Sequence, residues 1–376
     1  MKAPNPGRTA IRTAGLTLVG ALALTACSSG NNNATTTNPT SNPSSSASGS
    51  TSCATGSLSA QGSTFQANAE LQWAKDFAAA CPGATIDYQG TGSGGGKTAF
   101  GTVSATAPDF AGTDSLLKPA EQTAADKRCG TGNKGIVTPI VAGAVVLTYN
   151  LSGVDKLTLD APTVAKIFTG KITKWDDAAI KALNSGVNLP STNIVTVHRN
   201  DKSGTTKIFS SWLKANDTTD WTLGADETLT WPGGQSAKGS DGVTAAVAGA
   251  KGGITYTELS FAKANNLAVA DIKNAAGTVV TPSGASVSSA LKTATVGTTG
   301  GITVKPDYAT KTTDAYPLAA PSYVLTCDKG NKNATLLKAY LTYALTGGTA
   351  ALDGLGYAAL PDSIASQAKT QIASLS

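Results

Sequence analysis

Beyond residue 55 the apolar residues of this chain fall into short aliphatic runs separated by stretches with a helical period. "SLSAQG" (57–62), "ATIDYQG" (84–90) and "PDFAGTD" (108–114) read as strands. Between the first two, Phe65, Leu71, Trp73 and Phe77 recur at roughly helical spacing and predict an amphipathic helix. A glycine loop follows the second strand, then a small helix. This βαβαβ order predicts an α/β domain with a mainly parallel sheet. "GIVTPIVAGAVVLTYN" (135–150) carries strand-like aliphatic runs, and a mixed region spans 151–316. "PSYVLTC" (321–327) is a late strand, and "NATLLKAYLTYALT" (333–346) is an amphipathic helix. There is no internal repeat. Roughly 320 residues follow position 54, enough for two domains.

The first residues follow another pattern. Lys2, Arg8 and Arg12 precede a mostly apolar run, Ala14 to Ala26, that is shorter than the ~18–20 residues of a spanning helix. A basic start, a short apolar stretch and a small residue before the cut predict a secretory signal over 1–26. Cys27 directly after Leu-Thr-Ala resembles the bacterial lipobox, which implies a lipidated mature N-terminus. Residues 28–52 are Ser, Thr, Asn, Pro, Gly and Ala throughout. Such a segment cannot bury enough apolar surface to offset ordering, so 27–54 is expected to be a flexible tether reaching roughly 25–30 Å.

Charge and cysteines sharpen this picture. The net charge is +5, and three of those positive charges lie in 1–26, leaving +2 on the mature chain. The basic residues are scattered, so nucleic acid is not an expected partner. Without Cys27 four cysteines remain: Cys53, Cys81, Cys129 and Cys327. An even count in an exported protein predicts two disulfides. Three pairings are possible. The placement of the cysteines relative to the strands favours Cys53–Cys81 and Cys129–Cys327. No CxxC occurs and His198 is the sole histidine, so neither a metal nor a cofactor is expected.

The loop "GTGSGGGKT" (90–98) raises three readings. Gly96, Lys97 and Thr98 fit the end of a P-loop, but Thr91 stands where its first glycine belongs. Gly90, Gly92 and Gly95 match a dinucleotide turn, a weak pattern in glycine-rich sequence, with Asp109 19 residues after Gly90. The third reading is anion capture without chemistry, by backbone N–H groups at a helix N-terminus and the Ser93 hydroxyl. Two further strand-to-helix turns support it. "AQGSTF" (60–65) offers Thr64 and Phe65, and "HRNDKSGTTKIF" (198–209) offers Arg199, Ser203, Gly204 and Thr205. The arginine fork suits two oxygens of one anion. Three such turns at the carboxyl ends of strands can converge on one ligand. His198 alternates away from Arg199 along its strand and is expected to be structural.

Taken together, "GSTF", "YQGTGSGGG", "DFAGTD", "GKITKWDD", "LNSGVNLP", "RNDKSGTT", "KGSDGV" and "LPDSI" resemble, in order, the periplasmic phosphate-binding proteins of bacterial ABC phosphate importers. The resemblance covers the chain from about Gly56 to its end. It implies Thr64, Phe65, Ser93, Asp114, Arg199, Ser203, Gly204 and Thr205 as phosphate-binding positions, with Asp201 holding the Arg199 guanidinium. Gln66 stands where the family often has proline, and Lys202 where glycine is common. An acid beside an anion, Asp114, makes sense only if the anion carries a proton. Phosphate at neutral pH does and sulfate does not, so Asp114 is the expected discriminator.

The resemblance further implies a two-lobed, periplasmic-binding-protein-like α/β fold of type II, with mixed, mainly parallel sheets. "VVLTYN" and "PSYVLTC" are its hinge strands. Lobe I takes 55–145 and returns over 320–376; lobe II is 146–319. The implied function is that of a lipoprotein on the outer face of the cell membrane. As a monomer it would close on inorganic phosphate and deliver it to the permease and ATPase subunits of an importer. Receptors for sulfate or molybdate, a phosphatase-like protein and an adhesin are the alternatives. A phosphatase needs an activated nucleophile or a metal pair, and no such constellation stands out, so no catalytic residue is expected.

Overall fold

The computed structural model describes residues 53–376; the signal, Cys27 and the tether up to residue 52 lie outside the described residues. Eight strands build the main sheet: β1 (Gly56–Gly62), β2 (Ala84–Gly90), β3 (Phe110–Thr113), β4 (Gly135–Asn150), β5 (Val195–Arg199), β6 (Gln235–Ala237), β7 (Gly253–Glu258) and β8 (Ala319–Cys327). Their order is β2-β1-β3-β8-β4-β7-β5-β6, and two short strands, Ala268–Val269 and Tyr357–Ala358, also pair with β4. Parallel pairing within this sheet is confined to its outer groups, β2-β1-β3 and β7-β5-β6. There, helices return the chain to the same edge, as parallel strands require. The inner pairs are antiparallel.

The strand β4 joins the two groups. From Gly135 to Ala144 it pairs with β8, and from Val145 to Asn150 with β7. The aliphatic runs of 135–150 thus form one strand of 16 residues, nearly all buried, in spite of Pro139. Proline cannot donate to a sheet ladder and is tolerated at bulges. Here the register with β8 shifts between Ser322 and Tyr323, beside Pro139. The extra residue is Ile140 of β4, and Ser322 stands opposite the edge of this bulge.

Among the helices that flank the sheet are α1 (Ala67–Ala80), α2 (Ser93–Phe100), α3 (Pro119–Cys129), α4 (Gly204–Asn216), α5 (Gly239–Gly249) and α6 (Ala334–Ala344). The glycines of 94–96 lie in the first turns of α2 instead of a loop before it. Helix α1 corrects another expectation. Its inward face is Ala69, Glu70, Trp73 and Phe77, whereas Leu71 is 58% exposed. The helix starts at Ala67, and its rotation about the Trp73–Phe77 pair turns a leucine to solvent and a glutamate to the core.

Aromatic side chains fill both ends of the sheet. Phe77 meets Tyr340 edge-on at 5.5 Å, and Tyr340 packs on Phe110. At the other end Phe209 stacks on Tyr256 at 4.3 Å, with Phe168 and Trp231 around them. His198 stacks on Trp231 and its Nδ1 lies 3.2 Å from the Arg199 carbonyl. Burial lowers its pKa, in keeping with a neutral, structural imidazole. The "GKITKWDD" segment is also structural. Trp175 is fully buried and donates to the Gly252 carbonyl, and Asp177 caps a short helix by accepting from the Ala179 N–H.

Both favoured disulfides form, Cys53–Cys81 and Cys129–Cys327. They span 28 and 198 residues of sequence. Constraining an unfolded chain over such loops stabilises the fold by roughly 3–5 kcal/mol each in the chain-entropy account. Urea unfolding with and without reductant is expected to show a loss of this size, larger for Cys129→Ser/Cys327→Ser than for Cys53→Ser/Cys81→Ser. Equal midpoints for all forms would refute it.

Candidate functional site

The strand ends β1, β3 and β5 meet the N-termini of α2, α4 and α5 at one buried point. Thr64, Ser93, Asp114, Arg199, Ser203 and Thr205 are each at most 7% exposed. Arg199 ends β5, and its guanidinium is held in a fork: Nε donates to Asp201 Oδ1 and Nη2 to Asp201 Oδ2, both at 2.6 Å. Burial alone would lower the arginine pKa, but Asp201 outweighs it and raises it. Asp201 is held below the ordinary carboxylate range by Arg199 against its own burial. The second terminal nitrogen, Nη1, faces three hydroxyls: Thr64 and Ser240 at 3.2 Å and Thr205 at 3.4 Å. A fixed cation therefore sits among hydroxyls drawn from both ends of the sheet.

Asp114 follows β3 and is ringed by hydroxyls. Ser63 and Ser322 donate to its Oδ1 at 2.5 Å, and Ser93 donates to Oδ2 at 3.0 Å. A carboxylate has about four acceptor sites. Oδ1 is filled and Oδ2 keeps one lone pair. No described ion pair includes Asp114. Burial pushes its pKa up to about 6, the serine donors oppose that, and nearby Glu258 adds to it. Gly204 makes the closest approach from β5's side. A side chain there would run into Ser93 Oγ and Asp114.

Three sequence-predicted donors are engaged locally. The Phe65 N–H donates to Ser63 Oγ at 2.9 Å, and its ring is buried against Tyr357. Ser203 Oγ caps α4 by accepting from the Thr206 N–H, and the Thr205 hydroxyl donates to Glu258 Oε1. Four participants were not singled out as site residues from sequence: Ser63, Ser240, Ser322 and Glu258. Ser240 sits in "KGSDGV", a motif that was visible without a role. Ser322 reaches Asp114 through the pairing of β8 with β3 and β4.

A family model described as the PBP superfamily domain matches residues 34–347. The phosphate-binding protein PstS 3 of Mycobacterium leprae is 39% identical over 365 residues, covering 95% of this chain and 96% of its own. The phosphate-binding protein PstS of Xylella fastidiosa is 34% identical over 367 residues, covering 96% of each. The chain belongs to the PstS family of phosphate-binding proteins. A solved periplasmic phosphate-binding protein with phosphate bound shares the fold, with a TM-score of 0.69, 24% identity, and coverage of 84% of this chain and 93% of that one.

This member of the PstS family also carries a buried ion network beside the site. Lys97, the lysine of the P-loop-like sequence, pairs with Glu227 at 2.7 Å and Glu121 at 3.0 Å. Its ammonium is therefore committed to carboxylates, as a phosphate-cradling lysine would not be. Lys202 pairs with both Glu121 and Glu227, and its carbonyl accepts from the Gly94 N–H at 2.9 Å. Side chains from 97–121 are thereby tied to those from 202–227. Lys202→Met keeps the stem and removes the charge. Because Lys202 is 39% exposed in its side chain, the expected loss of phosphate affinity is small, about two- to fivefold, and shrinks in high salt. Calorimetry at low and high ionic strength checks it.

Proposed function

We propose that this chain captures inorganic phosphate between two lobes and presents it to an ABC-type importer. The observation that carries this reading is the pairing of one buried, fork-held arginine with one buried, cation-free carboxylate at a junction of helix N-termini. Arg199 and the helix ends attract an anion. The free lone pair of Asp114 Oδ2 accepts a hydrogen from it. Thr64, Phe65, Ser93, Ser203, Gly204 and Thr205 complete the proposed ligand set, and Ser240 joins them. Related PstS proteins are named for phosphate binding.

In this reading 55–145 with 320–376 is lobe I and 146–319 is lobe II. The change of partner along β4 between Ala144 and Val145, and the start of β8 at Ala319, support those limits. Phosphate contacts both lobes only when they are closed, so its binding shifts the population toward the closed form. The exported, lipid-anchored state rests on the sequence of 1–27. No described helix is long and apolar enough to cross a membrane. The chain acts as a receptor and not a catalyst, with the permease and ATPase subunits as partners.

A melting experiment tests the reading. A ligand that binds only the folded state at about a thousand times its dissociation constant stabilises it by ~4 kcal/mol. Phosphate is expected to raise the melting temperature of anion-stripped protein, and sulfate at the same concentration is not. Equal shifts from both anions, or none from phosphate, would contradict it.

A further inference from the structure

Behind Asp114 a chain of side-chain hydrogen bonds runs into the core. Ser322 Oγ lies 2.5 Å from Asp114 Oδ1 and 2.7 Å from Gln66 Oε1. Gln66 Nε2 lies 3.2 Å from Glu70 Oε1, and the Tyr340 hydroxyl donates to Glu70 Oε2 at 2.6 Å. Gln66 and Glu70 are fully buried, and Glu70 has no ion-pair partner among the described residues. Ser322 has one hydrogen and two acceptors. An amide, in turn, presents either end after half a turn of its terminal torsion. Two head-to-tail arrangements connect these groups; the orientation in the structure, with Gln66 Oε1 toward Ser322 and Nε2 toward Glu70 and Tyr88, is that of the second, and the first has the amide turned over. In one, neutral Glu70 donates to Gln66 Oε1, Gln66 Nε2 donates to Ser322, and Ser322 donates to ionised Asp114. In the other, Asp114 carries the proton and donates to Ser322, Ser322 donates to Gln66 Oε1, and Gln66 Nε2 donates to ionised Glu70. Each holds one proton on one carboxyl.

We propose that Asp114 and Glu70 share a single proton through Ser322 and Gln66, so that bound phosphate, which needs Asp114 as acceptor, holds that proton on Glu70. Glu70 is then a positioning residue that acts on the ligand through Asp114. This rests on the phosphate reading given above. The groups facing the two carboxyls agree with it. Glu70 meets Tyr340 of α6 and lies near Tyr88 of β2. Asp114 meets Ser63, Ser93 and Ser322, feels Glu258 of β7, and opposes ionisation of Tyr88, Tyr308, Tyr323 and Tyr357. None of these is a cation. Burial pushes Glu70 up to about 8, against the Tyr340 hydrogen bond, while Asp114 stands at about 6. Of the two carboxyls Glu70 holds the proton more strongly, and an anion that needs Asp114 as acceptor adds to that preference.

Above about pH 8 Glu70 loses it. Gln66 then turns its NH2 to Glu70 and draws the Ser322 hydrogen away from Asp114, and a second buried negative charge stands behind the anion site. Phosphate affinity of the full chain is therefore expected to fall between neutral pH and about pH 9.5 at least ~5-fold more steeply than in Glu70→Gln, which holds an uncharged amide there. Infrared difference spectra of the native protein are expected to contain a protonated-carboxyl band at neutral pH. This band strengthens on adding phosphate near pH 8 and is absent in Glu70→Gln. Parallel affinity profiles in two equally folded proteins would overturn the proposal. So would a native protein with no protonated-carboxyl band at neutral pH, a result that stands even if Glu70→Gln fails to fold. Native protein that binds no phosphate at neutral pH would overturn both this proposal and the reading beneath it.

Discussion

Arg199→Lys is expected to bind phosphate at least ~100-fold more weakly than the native protein while still folding. The charge survives this change, but the fork does not. Asp201 takes two of the guanidinium's faces at 2.6 Å and so fixes the direction of Nη1 toward Thr64, Thr205 and Ser240. An ammonium on a flexible stem satisfies either Asp201 or the ligand, not both in this geometry. Arg199→Ala would be worse for a different reason. It leaves Asp201 without its buried partner, at a cost of about 3–5 kcal/mol of stability, so loss of binding would be confounded with unfolding. Titration of Arg199→Lys, with its melting curve as control, separates the two. Affinity within about threefold of native would place the anion elsewhere.

Asp114→Asn is expected to lose discrimination between phosphate and sulfate by at least ~100-fold at neutral pH. A site that hydrogen-bonds a ligand group rejects an analogue lacking it because buried polar atoms are left unpaired. Sulfate would in addition bring a negative charge without a proton against the Asp114 carboxylate. An amide at 114 removes the repulsion and offers a donor in its place. Protonation of Asp114 does the same, which fixes the sign of a pH effect. With its pKa at about 6, Asp114 is ionised at neutral pH and gains a proton as pH falls through that value. Selectivity of the native protein is therefore expected to decline below about pH 6 and to be flat with pH in Asp114→Asn over the same range. For stability the sign runs the other way. Between about pH 4 and 6 the folded state binds more protons at Asp114 than the unfolded state, so this group's contribution falls as pH rises through that window.

Much of the candidate site was legible because strand-to-helix turns advertise themselves. Small donors after an aliphatic run mark Thr64, Ser93 and Ser203–Thr205, and the paired Arg199 and Asp201 lie two residues apart on one turn. Asp114 was legible by chemistry, as an acid where an anion belongs. Ser63 stands in the same turn as Thr64 and was passed over, while Ser322 and Glu258 were not legible because each reaches the site through long-range pairing. Ser322 is 208 residues from Asp114 in sequence and stands beside the β4 bulge. Glu70 was hidden by the helix reading itself. At about 100° per residue Glu70 falls roughly 40° from the middle of the Trp73–Phe77 stripe and Leu71 roughly 140° from it, so the period already turns Glu70 inward, and counting only apolar residues passed over it. The group β2-β1-β3 was readable from βαβ order, whereas β7-β5-β6 lies in a stretch read only as mixed. That the sheet is continuous through one 16-residue strand was not, since Pro139 argues locally for a break.

The measurement that bears most directly on the central claim is calorimetric titration of anion-stripped protein with phosphate and then sulfate at neutral pH, with Asp114→Asn beside it. Tight phosphate binding, undetectable sulfate binding and a variant that has lost most of that difference is the predicted result. Sulfate binding comparable to phosphate in the native protein, or a variant as selective as the native, would contradict the assignment of Asp114 as the group that reads the ligand's proton.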